Sequence, residues 1–95
     1  MAISRLYVIR CKTKGYWYVG ITNRLPWERL YEHETGTGAA WTRKHGVECM
    51  IFSGIVPGGM ANKLEDDMTA YLMSWFGWAN VRGGQHVRCK DQDRT

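Results

Sequence analysis

Two apolar, β-branched-rich runs, Leu6 to Cys11 and Tyr16 to Ile21, are separated only by Lys12-Thr13-Lys14-Gly15. A short polar stretch closed by glycine between two such runs predicts a β-hairpin. Side chains alternate faces along a strand, so the parity of the connection decides which residues lie together. With Cys11 opposite Tyr16, Tyr7 falls opposite Gly20 and Ile9 opposite Tyr18. Tyr7, Ile9, Cys11, Tyr16, Tyr18 and Gly20 then share one face, with Tyr7 and Tyr18 as diagonal neighbours. An odd connection sends the two phenols to opposite faces unless a bulge supplies an extra residue. The even register is expected.

Pro26 suits the first turn of a helix, where its missing N–H is not needed. Trp27, Leu30, Tyr31 and Glu34 follow at helical spacing, Gly36 offers a stop, and Arg29 and His33 lie one turn apart on the polar side. Gly36-Thr37-Gly38 reads as a flexible loop, followed by the basic, aromatic stretch Trp41-Thr42-Arg43-Lys44-His45. A third strand is expected within Val47 to Val56, ended by Pro57-Gly58-Gly59. The longest helix is expected from about Met60 to Phe76, with Leu64, Met68, Tyr71, Leu72 and Trp75 as its apolar stripe and Gly77 at its end. Trp78 to Gly84 reads as a shaped loop, and residues 85–95 as a polar tail that frays. The order β-β-α-β-α predicts an α+β domain: a short, mainly antiparallel three-stranded sheet flanked by helices.

A chain of 95 residues is expected to form one domain over 1–95 with a single core. Lys and Arg outnumber Asp and Glu by 13 to 9, giving +4, a balance that favours a polyanionic partner. Many small domains are mildly basic without that role, so charge alone does not decide it. Cys11, Cys49 and Cys89 are odd in number and widely spaced, which speaks against a disulfide framework or a zinc ribbon. His86 and Cys89 make at most half of a metal site. No signal-peptide pattern or membrane-length apolar run is present, so a cytoplasmic protein with reduced thiols is expected.

Leu6-Tyr7-Val8, Tyr18-Val19-Gly20, the pair Arg29 and His33, and Glu65 on a later helix form an ordered set. Together with Gly36-Thr37-Gly38-Ala39-Ala40-Trp41-Thr42-Arg43 and Asn80-Val81-Arg82-Gly83-Gly84, they resemble the GIY-YIG nuclease superfamily from about Leu6 to Gly84. Tyr7 stands one place inward from the position the family name describes. Some members carry a second histidine after the first helix, and the nearest, His45, does not have the matching spacing. Larger relatives append a DNA-recognition domain, for which this sequence has no counterpart.

The resemblance implies an endonuclease that uses Mg2+, with Mn2+ able to substitute, to hydrolyse DNA phosphodiester bonds, and no small-molecule cofactor. By resemblance, Tyr7 is the general base toward water, relayed through His33, and Tyr18 orients substrate. Glu65 holds the metal; a single carboxylate with waters and phosphate oxygens is a normal shell for magnesium. The other reading of Glu65 is a capping box over Asn62-Lys63-Leu64-Glu65. Arg29 offers a planar fork for phosphate, and His33 can move a proton near neutral pH. A phenol is a poor base unless nearby cations stabilise its anion, a field Arg29 and the metal are expected to provide. Asn80 either bonds substrate or the Glu65 region, or is a turn residue. Gly20 leaves room for a phosphate, and Trp41, Arg43 and Lys44 combine a stacking surface with charge for nucleic acid. The alternative function is a catalytically inactive nucleic-acid-binding module on the same fold.

Overall fold

The computed structural model describes residues 3–83. Strands β1 (Ser4–Arg10) and β2 (Trp17–Thr22) form the hairpin; helices α1 (Pro26–Glu34) and α2 (Ala40–His45) follow. Next come β3 (Cys49–Val56), a 3-10 turn over Gly58–Met60, and α3 (Ala61–Phe76). A second 3-10 turn, Trp78–Asn80, leads into the two-residue strand β4 (Val81–Arg82).

The expected even register is present. Tyr7 pairs with Gly20 and Ile9 with Tyr18, and the Cys11 N–H donates to the Tyr16 carbonyl at 2.9 Å. The β1–β2 ladder runs without interruption. The only register shift in the antiparallel part of the described sheet lies between β1 and β3, at Val8 and Ile9, where Ile51 is the extra residue. The sheet has four strands in the order β3-β1-β2-β4, and β4 runs parallel to β2. The fourth strand is an addition to the expected three. Its glycine-rich surroundings hid it, because a two-residue strand leaves no alternation to read.

Strand alternation divides the core. Leu6, Val8 and Val19 pack with Leu72 and Val81 on one face, joined by Leu64, Met68 and Met73 of α3. Tyr7, Ile9, Cys11 and Tyr18 pack with Trp41 and Val47 on the other, against Leu30 and Ala39. Helix α3 therefore covers an aliphatic face, while α1 and α2 cover an aromatic one.

Three expectations about helices are corrected. The basic, aromatic stretch Trp41 to His45, for which no helix was expected, is helical as α2 and ends at Gly46, whose φ of +75° is a conformation that glycine adopts without strain. Helix α1 is rotated from its apolar spacing: Leu30 packs on the core, but Trp27 and Tyr31 are 65% and 66% exposed, whereas His33 is buried. Polar residues can face inward there because the sheet offers them partners, so hydrogen bonding outweighed the area gained by burying two rings. On α3, Leu64, Met68 and Leu72 do face the sheet, but Tyr71 and Trp75 are exposed.

Candidate active site

Tyr7 sits at the centre of β1 and is buried, with its phenol lying over Gly20 of the neighbouring strand. A Cβ at Gly20 would overlap the Tyr7 hydroxyl. The space expected to admit a phosphate at Gly20 is thus filled by the phenol, since a cross-strand glycine is where a large ring can lie flat.

The hydrogen-bond partners of that hydroxyl come from α1. The Tyr7 oxygen is 2.8 Å from Nε2 of His33, and the Arg29 Nε–H donates to it at 3.2 Å. Arg29 and His33 are four positions apart, so one helical turn delivers both to one phenol. Arg29 is itself held by Glu32, whose carboxylate accepts from its terminal N–H at 2.8 Å and also pairs with Arg24. That hydrogen bond from Arg29 holds the Glu32 carboxyl below its usual range. Tyr18 adds a second ring, with centroids 6.3 Å from Tyr7 and 5.2 Å from His33.

On its far side His33 meets α2, with Nδ1 2.8 Å from Oγ1 of Thr42. Trp41 fixes α2 in place. It is 2% exposed, its indole N–H donates to the Trp17 carbonyl at 2.9 Å, and the Arg82 guanidinium lies 3.9 Å above its ring. The expected stacking surface at Trp41 is therefore a core anchor: a side chain sealed under the sheet cannot receive a base. Arg43 and Lys44, on the outer side of the same helix, are exposed as expected.

Burial sets the proton affinities here. It pushes the Tyr7 phenol far above its ordinary value, aided by Tyr18 and Glu65, and Arg29 only partly opposes the shift. The Tyr18 phenol is raised for the same first reason. The expected stabilisation of a phenolate by Arg29 is present in sign but smaller than desolvation. Burial, then Arg29, lowers His33 from 6.5 to about 4. His33 is accordingly a neutral acceptor at pH 7 rather than a group titrating near neutrality.

Glu65 belongs to α3, the helix on the opposite face, yet its negative charge opposes ionisation of both phenols. The capping-box reading fails because α3 starts at Ala61 with Met60 at its cap, leaving Asn62 inside the helix. Asn80 is not brought to the phenols by any bond described here. Its amide donates to the Phe76 carbonyl at 2.7 Å, at the C-terminal end of α3. Phe76 stands eleven residues beyond Glu65, about 16 Å along a helix axis. The turn reading of Asn80 matches this geometry. Residues 84–95, including His86 and Cys89, lie outside the described residues. Cys11 and Cys49 are both free thiols.

The model of the GIY-YIG catalytic domain matches residues 4–68, more than half of the chain. The chain belongs to the GIY-YIG family. The matched span holds Tyr7, Tyr18, Arg29, His33 and Glu65, and makes this a domain of a nuclease family that acts on DNA. No curated protein and no solved structure gives a match to it. No helix among the described residues is long and apolar enough to cross a membrane.

Sequence reasoning missed two members of this GIY-YIG site. Glu32 holds Arg29 and Thr42 holds His33. Glu32 could have been found as the residue three positions after Arg29, a spacing that pairs charges on a helix. Thr42 became reachable only when the stretch that carried it proved to be helix.

Proposed function

We propose that this chain is a metal-dependent endonuclease that hydrolyses DNA phosphodiester bonds with an activated water. The observation that carries the proposal is the buried Tyr7 hydroxyl held between the Arg29 Nε–H and the His33 Nε2.

A water attacking phosphorus must lose a proton as its oxygen bonds to phosphorus. A phenol with so high a proton affinity does not wait as a phenolate. It can take the water's proton only while its own passes to Nε2 of His33, which leaves Tyr7 neutral throughout. The imidazolium formed is unfavourable beside Arg29, so it readily gives the proton back. Arg29 stays charged and stabilises negative charge building near the Tyr7 oxygen and on the phosphate. Tyr18, alongside both rings, orients the water or a phosphate oxygen.

Glu65 is the residue proposed to hold magnesium. The proposal is a cation that takes one carboxylate from Glu65 and completes its shell with water and phosphate oxygens; among the described residues no three His, Cys, Asp or Glu side chains gather around one point. When bound, magnesium supplies positive charge to the phosphate oxygens. Arg43 and Lys44, exposed on α2, are proposed to contact DNA phosphates beyond the cleaved bond.

Incubating the protein with single-stranded, duplex and branched DNA, with and without magnesium or manganese, tests this reading. Wild-type protein should cut at least one form only with metal. Glu65→Ala should lose cleavage while keeping its fold and DNA affinity. Substantial cleavage by folded Glu65→Ala overturns the metal assignment. Binding without cleavage of any form by the wild type favours the inactive binding module.

A further inference from the structure

Thr42 has one hydroxyl proton and two close polar neighbours, which decides the direction of the hydrogen bonds through His33. Its Oγ1 lies 3.0 Å from the Ala39 carbonyl and 2.8 Å from Nδ1 of His33. A carbonyl only accepts, so the hydroxyl proton belongs on the Ala39 side. The Ala39 carbonyl also accepts the Arg43 N–H at 3.1 Å, but a proton pointed at His33 would still leave two lone-pair-bearing oxygens facing each other at 3.0 Å. Oγ1 is then available to His33 only as an acceptor, and a proton on Nδ1 fills the gap. A neutral imidazole carries one ring proton, so Nε2 is left bare and accepts from the Tyr7 hydroxyl at 2.8 Å. The Tyr7 oxygen in turn receives the Arg29 Nε–H. Each proton is used once, and no other assignment satisfies all four contacts.

We infer that Thr42 is a positioning residue that fixes His33 as the Nδ1–H tautomer, so that Nε2 is kept open for the proton of Tyr7. The inference rests on the nuclease reading for its consequence but not for its geometry. Several features make Thr42 suited to this task. It is 2% exposed, as is His33, so the pair is shielded from bulk water. It lies in α2, which Trp41 anchors to the sheet through the Trp17 carbonyl. The Ala39 carbonyl precedes it by one turn, so the bond that orients its hydroxyl is local to the helix. His33 is also close-packed against Gly38, where a Cβ would meet its Nδ1 at 2.5 Å. The ring therefore has little room to turn and exchange its two nitrogens.

A long-range proton–nitrogen NMR correlation spectrum of the protein alone, without DNA or metal, reads the tautomer directly. The His33 signals are separated from those of His45 and His86 by comparison with His33→Asn. Wild-type protein should show Nδ1 protonated and Nε2 bare. Thr42→Val keeps the shape but removes the acceptor, and should shift His33 toward the Nε2–H form. Cleavage by Thr42→Val should fall by roughly 10- to 100-fold, the range in which partners of functional groups act. Thr42→Ser, which keeps the hydroxyl, should restore both tautomer and rate. An Nε2–H tautomer in the wild type overturns the inference without any variant. So does a Thr42→Val protein that retains the Nδ1–H form, or a folded Thr42→Ser protein that shows the tautomer expected of valine. Should Thr42→Val fail to fold, the wild-type spectrum and the serine variant still decide. A wild-type protein that cuts no DNA refutes the nuclease reading and leaves the tautomer result standing.

Discussion

Leu6 and Tyr7 are consecutive residues of one strand, both nearly sealed from solvent, and they belong to different kinds of core. Leu6, with Val8 and Val19, packs with apolar side chains of α3 and β4. Tyr7, with Ile9 and Tyr18, shares its face with His33 and Thr42, both 2% exposed. The aliphatic face gains stability from the area it removes from water, and its contacts have no direction. The aromatic face buries groups that must be paired, and each pairing has a donor and an acceptor. The difference teaches where chemistry can be built on a small sheet. One face holds the strands rigid, so that the other can hold a hydrogen-bond chain at distances of 2.8 to 3.2 Å.

Adjacent substitutions probe the contrast most strongly. Tyr7→Phe removes one oxygen and keeps the ring, and should lower cleavage by about 10²- to 10⁴-fold, the contribution of a positioned proton-transfer group. Leu6→Ala should cost about 2–5 kcal/mol of stability by opening the aliphatic core, with the folded fraction still active. Urea unfolding and cleavage assays on both variants check this. Equal losses of activity at equal folded fraction would erase the distinction between the faces.

Acid should expose the polar face next. His33 titrates at about 4 in the folded protein and at 6.5 ordinarily. Between those values the unfolded chain binds more protons, so stability rises with pH across that window and falls as pH is lowered through it. The contribution is on the order of 3 kcal/mol, fully present above the ordinary value. Unfolding of wild type and His33→Gln, compared at about pH 4.5 and pH 7, isolates it because the other titrating groups are shared. The same pH dependence in both proteins would show that His33 is not the group responsible.

The smallest effect lies outside both cores, on the solvent side of α2. DNA binding should weaken with salt at a log–log slope of about −0.9 per phosphate neutralised on duplex and about −0.7 on single strands. Arg43→Ala and Lys44→Ala should each make the slope shallower by roughly one unit where the side chain touches phosphate. Slopes unchanged in both variants would return that surface to ordinary solvated charge.

The hairpin, its even register and therefore the meeting of Tyr7 with Tyr18 were legible in the sequence, because strand parity is a local property counted along the chain. So were the spans of α1, β3 and α3, and the pairing of Arg29 with His33 one turn apart. Family membership was legible for the same reason: it rests on an order of residues and spacings. What tertiary structure alone decided was which side of α1 faces the sheet. Trp27 and Tyr31 had the apolar claim to the interior of α1, and His33 took it because Tyr7 and Thr42 could pair both of its nitrogens. Trp41 had the composition of a surface platform and became the anchor of α2. Asn80 and Gly20 were likewise claimed by neighbours distant in sequence or on the adjoining strand, the Phe76 carbonyl and the Tyr7 phenol. Burial also reversed the expected acid–base behaviour, raising the phenols and lowering the imidazole. Desolvation depends on everything packed around a group, and no local pattern in a sequence carries that sum.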